Sequence, residues 1–245
     1  MNTEKNYQLF NIGTALAIGL VLSSIILGWS YTHKKDGNEA VTVTGSAKKR
    51  IKSDLVIWSA GVSYQSAQLS DAYKQLSENI PRIKKYLVEK GIAENQITVS
   101  AISSNTLHGR DENGNENSEI TGYNLRQEIV VNSTDVERIA LVAREATELI
   151  NQGILLESSP PKYYYTQLGD LKVSMLGEAA QDAKARAEQI AASTGSQIGA
   201  IRSARMGVMQ ITAADSTDVS DYGIYDTSTI EKDVTAVVNI NFAVE

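Results

Sequence analysis

The chain of 245 residues has no cysteine, and only 3 prolines, 2 histidines, 2 tryptophans and 2 phenylalanines. Without cysteine there is no disulfide framework, no thiolate nucleophile and no Cys-ligated zinc site. The two histidines, His33 and His108, stand in polar stretches without a partner at triad or metal-ligand spacing. No catalytic, cofactor-binding or metal-ligating residue is nominated, no cofactor is expected, and an enzyme is the least favoured class. Excess positive charge is also lacking, since 23 Lys and Arg face 29 Asp and Glu for a net charge of -6. Neutralising phosphates needs a basic face, so nucleic acid is not an expected partner.

Long apolar runs are scarce too, with one exception. Phe10 to Trp29, FNIGTALAIGLVLSSIILGW, carries no charge over 20 residues. At about 1.5 Å per residue it covers roughly 30 Å, the thickness of a bilayer's hydrocarbon core. It predicts a transmembrane anchor over residues 10–31, after a tail at 1–9 and before a linker at 32–40, with Trp29 and Tyr31 at the interface. The competing reading is a cleaved signal peptide. That needs a shorter apolar core and a small-x-small cleavage site, for which GWSYTHKKD is a poor match. Charge alone leaves the orientation open, because Lys5 precedes the run, Lys34 and Lys35 follow it, and the amino terminus cancels the difference. Ala15, Gly19 and Ser23 form a small-xxx-small row that lets two anchors approach, or simply reflects membrane-helix composition.

The remainder, roughly 205 residues, suffices for one large domain or two small ones. Val41 to Thr44 alternates as a strand, and Leu55 to Tyr64 is rich in β-branched and aromatic residues. Leu69, Ala72, Tyr73, Leu76, Ile80, Ile83 and Leu87 recur at three and four, predicting a helix that Pro81 kinks or divides and Gly91 ends. Ile97 to Ser103 and Tyr123 to Val131 alternate as strands around a polar acidic loop, 108–119, with a turn at Asn113-Gly114. A helix is expected over 134–151, with Val136, Ile139, Ala140, Val142, Ala143, Ala146 and Ile150 apolar. Gly153 ends it, and a strand follows over Ile154 to Tyr165, which Pro160-Pro161 restrict to an edge, a bend or a bulge. Next comes EAAQDAKARAEQIAASTGSQIG, Glu178 to Gly199, read as a helix closed by Gly195. Its stripe is Leu168, Leu171, Met175, Ala179, Ala183, Ala187, Ile190 and Thr194, with an Asp182–Arg186 pair at i,i+4. Small residues on that stripe let the helix sit close to a sheet or a second helix. Strands at Ile198 to Met206 and Val234 to Val244 flank a second acidic loop, 210–229. The expected fold is α+β: β-α-β-β units at about 51–132 and 153–244, joined by the 134–151 helix, forming a mostly antiparallel sheet with helices on one face.

Few segments invite a ligand. Asp111, Asn113 and Asn115 resemble a calcium loop, but its glycine is fourth and its twelfth residue is Gly122, not Glu. Asp215, Asp218, Asp221 and Asp226, with Tyr222 and Tyr225, match no ligand spacing. A loop that long suggests a mobile or partner-contacting segment. Lys48, Lys49, Arg50 and Lys52 either meet anionic head groups near the anchor or form a solvated turn. Tyr163, Tyr164 and Tyr165 show both faces of a strand, as packing residues or as binding anchors.

Three segments resemble the SIMPL-domain family. KGIAENQITVSAIS, Lys90 to Ser103, is similar to the segment after that family's first helix, and EAAQDAKARAEQIAASTGSQIGAI, Glu178 to Ile201, to its alanine-rich second signature. VTVTGSAKKRIKSDLVIWSAGV resembles its opening, except that Ser53-Asp54 stands where the family has Pro-Asp. The resemblance covers about Ala40 to Glu245, taken here as a SIMPL-like domain at 41–245. It implies a secreted, periplasmic or membrane-anchored bacterial protein loosely tied to stress tolerance, and implies no catalytic residue set. The expected function is a membrane-anchored, extracytoplasmic structural or interaction module. It is expected to form a homo-oligomer, because sheet edges left open invite pairing, and to meet an unidentified protein partner. A small-molecule or lipid-binding envelope protein is the alternative, and an enzyme comes third.

Overall fold

The computed structural model describes residues 16–30 and 39–245. Residues 16–30 form helix α1, and every one of them is exposed, Leu20, Ile26 and Leu27 included. The rest of the expected 10–31 anchor, and His33, lie outside the described residues. Among the described residues no helix is long and apolar enough to cross a membrane.

The remaining elements are strands β1 (Ala40–Lys52), β2 (Leu55–Ser66), β3 (Ile97–Val99), β4 (Ser103–Arg110), β5 (Glu116–Ser133), β6 (Leu156–Ser158), β7 (Lys162–Tyr164), β8 (Ile198–Met206), β9 (Gln210–Ala213) and β10 (Glu231–Val244). The helices are α2 (Leu69–Glu89), α3 (Val136–Glu145) and α4 (Leu168–Ser193). The fold is α+β with antiparallel sheets, and the strands fall into two sheets where one was expected. The chain divides into two compact units. The larger comprises Lys48–Met175 and Val208–Ala236; the smaller comprises the described residues up to Ala47, Leu176–Gly207 and Val237–Glu245.

In the larger unit, β2 and β5 pair antiparallel from Val56↔Ser133 to Ser66↔Tyr123. β3 and β4 extend the sheet from β5, and β6 and β7 extend it from β2. Alternation along β2 sends Val56, Trp58, Ala60, Val62 and Tyr64 to one face. Leu76, Ile80, Ile83 and Leu87 of α2 join them in one core, with Ile129 and Val131 of β5 and Val136 and Ile139 of α3. Full burial of Leu76, Ile83 or Leu87 contributes roughly 1.5–3 kcal/mol each. The one polar group of Trp58 is satisfied inside, where its Nε1 donates to Ser158 Oγ at 3.0 Å, and that hydroxyl donates to the Ala143 carbonyl at 3.0 Å.

Helix α2 is continuous through Pro81, so the expected division into two pieces does not occur. Pro81 is exposed, so the carbonyl of Ser77, one turn back, can turn to water. Pro81→Ala restores that hydrogen bond and is expected to raise stability by about 1 kcal/mol, seen as a higher urea midpoint at unchanged m-value. The helix ends as expected. Gly91 takes φ 88°, its N–H donates to Val88 O, and Ile92 N–H donates to Leu87 O, with Ile92 and Leu87 both buried. That is the Schellman closure with its apolar contact.

The 134–151 helix divides. α3 begins at Asp135, whose side chain accepts from Arg138 N–H, and after Glu145 the chain tightens into a 3-10 helix, Ala146–Gln152. The buried residues Val136, Ile139, Val142, Ala146 and Leu149 explain the tightening, since spacings near three stay on one face of a 3-10 turn. Leu149 is therefore inside, and Ile150, expected there, is exposed. The single strand expected over Ile154 to Tyr165 is two short ones, broken at Pro160-Pro161 and both paired with β2 rather than with the later strands. The polar stretch 108–119 is also mostly strand: only residues 111–115 turn, with Gly114 at φ 84°. A ribbon exposed on both faces has no apolar alternation, so nothing in the sequence marked it as extended.

In the smaller unit β10 lies between β1 and β8. Asn241 and Asn239 side chains donate to Thr42 and Thr44 hydroxyls on β1, at 2.8 and 3.1 Å, across a polar outer face. The inner face buries Val43, Ala47, Val238, Ile240 and Phe242. Ala179, Ala183, Ala187 and Ala191 of α4 are buried at every fourth position. The stripe thus follows the oblique i,i+4 ridge to its end, and Ile190, expected inside, is 46% exposed. Gly45 lies directly beneath: a Cβ there would stand 2.2 Å from Ala179 O and 2.6 Å from Ala183 Cβ. The Asp182–Arg186 pair forms as expected at 2.8 Å, and Asp182 also accepts from Ser46 N–H at 2.8 Å, pinning β1 to the helix. The Ser46 N–H first, then Arg186, holds the Asp182 carboxyl below its ordinary range.

Candidate functional site

Two adjacent residues at the start of β10, Lys232 and Asp233, alternate to opposite faces and are 1% and 2% exposed. Lys232 Nζ reaches Asp226 Oδ2 at 3.0 Å and donates to the Thr229 carbonyl. Asp226 in turn accepts from Ser228 N–H at 3.0 Å and from Thr229 N–H at 3.2 Å, and from both hydroxyls. Burial by itself would push the Asp226 carboxyl up; the donors from Ser228, Thr229 and Lys232 together outweigh it and hold it well below the usual carboxylate range. Asp233 accepts from Arg50 Nε at 2.9 Å and from Asp215 N–H at 2.9 Å, and Lys48 Nζ lies 3.0 Å away. Arg50 first, then the Asp215 N–H and Lys48, holds the Asp233 carboxyl well below its usual range despite desolvation.

These contacts recast two sequence segments. The basic run is strand, not turn: Lys48 and Arg50 meet Asp233, and Lys52 pairs with Glu137. Three of its four cations are engaged within the fold. The 210–229 stretch begins as β9, which pairs with β10, and Ile211 N–H donates to Ile224 O while Asp226 N–H donates to Ile211 O. Asp215 and Asp226 bind within the fold, and Tyr225 packs its ring 6.5 Å from that of Tyr164. Asp221 lies in an exposed turn beside Tyr222, and the Asp218 carboxylate accepts from Ser216 Oγ. Of the tyrosine run, Tyr163 is buried and Tyr164 and Tyr165 are partly buried. Asp54, from the Ser-Asp pair after β1, accepts from Thr166 N–H and Oγ1, both at 2.7 Å, and so fastens the turn after β7.

The anchored loop borders a cleft of about 490 Å³ on the face of β2 and β5 away from the helices. Ile57 and Val130 form its floor, Pro160 and Pro161 one wall, and Thr227 and Ser228, set by their neighbour Asp226, another. Glu128 and Lys162 are its ionisable side chains. Such a cleft can hold a small polar molecule over an apolar floor, but its residues form no nucleophile–base pair at bonding distance. No periodicity in the sequence brings Ile57, Val130 and Thr227 together, because three separate segments meet only through strand register.

Asp111, the first acid of the calcium-like loop, spends its carboxylate locally by accepting from Asn113 and Asn115 N–H, both at 2.9 Å. These bonds, Asn115 first, hold its carboxyl below the usual range and shape the turn. Among the described residues no group of three or more His, Asp or Glu side chains is placed to hold a metal ion. His108 lies on β4, opposite Ile120.

The most unusual surface is the ribbon of β4 and the first part of β5. Residues 103–106 and 116–121 are all exposed. The pair runs from Ser103↔Arg126 to Arg110↔Glu116, and among the described residues β4 pairs with no strand other than β5. A two-stranded ribbon without a covered face is marginal in water and leaves a row of backbone donors and acceptors along its free edge.

Among families of known proteins, one described as SIMPL, protein of unknown function (DUF541), matches residues 41–242. No curated protein matches the chain.

Proposed function

The chain belongs to the SIMPL family, and from that premise we propose that it serves as a membrane-anchored, self-associating interaction module on the extracytoplasmic side of the cell envelope. Stress tolerance, oxidative stress included, is the physiological setting that the resemblance suggests. The observation that carries self-association is the bare β4–β5 ribbon, whose edge and both faces are open to a partner. The anchor rests on the charge-free Phe10–Trp29 run and on helix α1, whose apolar side chains are turned outward all round, as lipid requires and water penalises. The satisfied carboxylates Asp226 and Asp233 support a structural module over a catalytic one, because their donors hold them ionised rather than poised for proton transfer.

The full chain is expected to stay with the membrane fraction after alkaline carbonate washing. Extracted in mild detergent, it is expected to show by multi-angle light scattering a protein mass of two or more chains. Release by carbonate removes the anchor, and a strict monomer at high concentration removes self-association.

A further inference from the structure

β8 is an edge strand: it pairs with β10 on one side, and among the described residues no strand adjoins its other side. Its register sets Met206, Ala204 and Ile201 opposite Val238, Ile240 and Phe242. Those three residues of β10 are buried, whereas Ile201 is 59% and Met206 67% exposed. The inner face of the small unit's sheet therefore runs out at its last strand. The ridge Ala179–Ala183 lies over Gly45 on β1, at the opposite edge, and every residue of β8 from Ala200 to Met206 is exposed. The only charges on β8 are two cations, Arg202 and Arg205.

The β4–β5 ribbon has the opposite character. Asp111, Glu112, Glu116 and Glu119 outnumber Arg110 and Arg126, the latter paired with Glu157 at the ribbon's base, so the ribbon is acidic where β8 is basic. It also has a free edge, along β4, and an exposed apolar side chain in Ile120, 55% exposed. We propose that the acidic β4–β5 ribbon of one chain adds to the open β8 edge of a second copy. Main-chain hydrogen bonds supply the affinity, a ribbon carboxylate opposite Arg205 sets the register, and Ile120 lies on the uncovered Ile201–Met206 strip. Because ribbon and edge are different surfaces, each copy offers one of each, and the contact joins unlike surfaces of two chains. This rests on the self-association proposed above and names the surfaces that perform it.

The cysteine-free sequence makes the test specific, since any introduced thiol is the only one present. Full-length Asn105→Cys, on the ribbon, and full-length Ser203→Cys, on β8, are mixed in mild detergent and oxidised. The mixed disulfide between the two variants is expected to dominate over either homodimer. Separately, Arg205→Glu is expected to weaken assembly by about tenfold, with Glu116→Arg in the same chain restoring part of the loss and raised salt weakening the unmodified chain. Both positions are exposed, and an unchanged melting temperature checks that the variants fold. An oligomer that crosslinks only ribbon to ribbon, or is indifferent to Arg205→Glu, overturns this docking while leaving self-association standing. A monomeric full chain overturns both.

Discussion

Gly45→Ala is expected to destabilise the protein by about 3 kcal/mol or more, the cost of forcing an extra carbon into a packed contact that cannot yield. The added Cβ would meet backbone, 2.2 Å from Ala179 O and 2.4 Å from Ala183 N, so no rotamer change relieves it. Helix α4 or strand β1 must retreat, and the retreat opens Val43, Ala47, Ile240 and Phe242, all now buried. At about 2–4 °C per kcal/mol for a chain of this size, the melting temperature falls by roughly 10 °C in a thermal scan. Gly199→Ala is the control, because its Cβ meets chiefly the mobile end of the Glu245 side chain and should cost less than about 1 kcal/mol. Equal losses at Gly45 and Gly199 would show that close packing of α4 is not what Gly45 provides. Ala183→Leu tests the same contact from the helix side and is expected to match Gly45→Ala in direction.

Asp226→Ala is expected to cost about 3–5 kcal/mol in urea unfolding, since it strands the ammonium of Lys232, whose side chain is 2% exposed, without its carboxylate. The double variant Asp226→Ala/Lys232→Met, which removes both charges, is expected to recover most of the loss. A double variant no better than the single one would mean that the Ser228 and Thr229 bonds to Asp226, rather than the ion pair, hold the loop. The same groups set the acid limit. Asp226 and Asp233 have carboxyls depressed in the folded state, so the stability they provide is fully present above the unfolded aspartate value of about 4. It is lost progressively as pH falls below that point towards the folded values. Unfolding free energy is therefore expected to hold from neutral pH to about 4 and then to drop, and the double variant, lacking the Asp226 contribution, to drop less steeply.

The helices were the most legible part of the sequence. The four-and-three spacing from Leu76 to Leu87, the Gly91 closure and the Asp182–Arg186 pair need only neighbours within one or two turns, and the structure repeats each. Two positions were taken as buried in place of their neighbours: Ile150 for Leu149, where the helix tightens to a 3-10 turn, and Ile190 for Ala191, where the buried row of α4 keeps strictly to every fourth residue. The ribbon was illegible because strand pairing without a core leaves no periodicity. The buried pair Lys232 and Asp233 gave no signal at all, as two adjacent opposite charges are what an exposed strand end also shows.

By itself the amino-acid sequence determined the helices α2 and α4, the alanine face of α4, the family, and the lack of any thiol chemistry. These follow from residue type and short-range spacing. Only the tertiary structure decided that Arg50 and Lys48 meet Asp233, that Gly45 underlies Ala183, and that Thr227 faces Ile57 across a cleft. Each of those contacts joins segments separated by more than a hundred residues, and it depends on how distant strands, helices and loops are brought together in three dimensions.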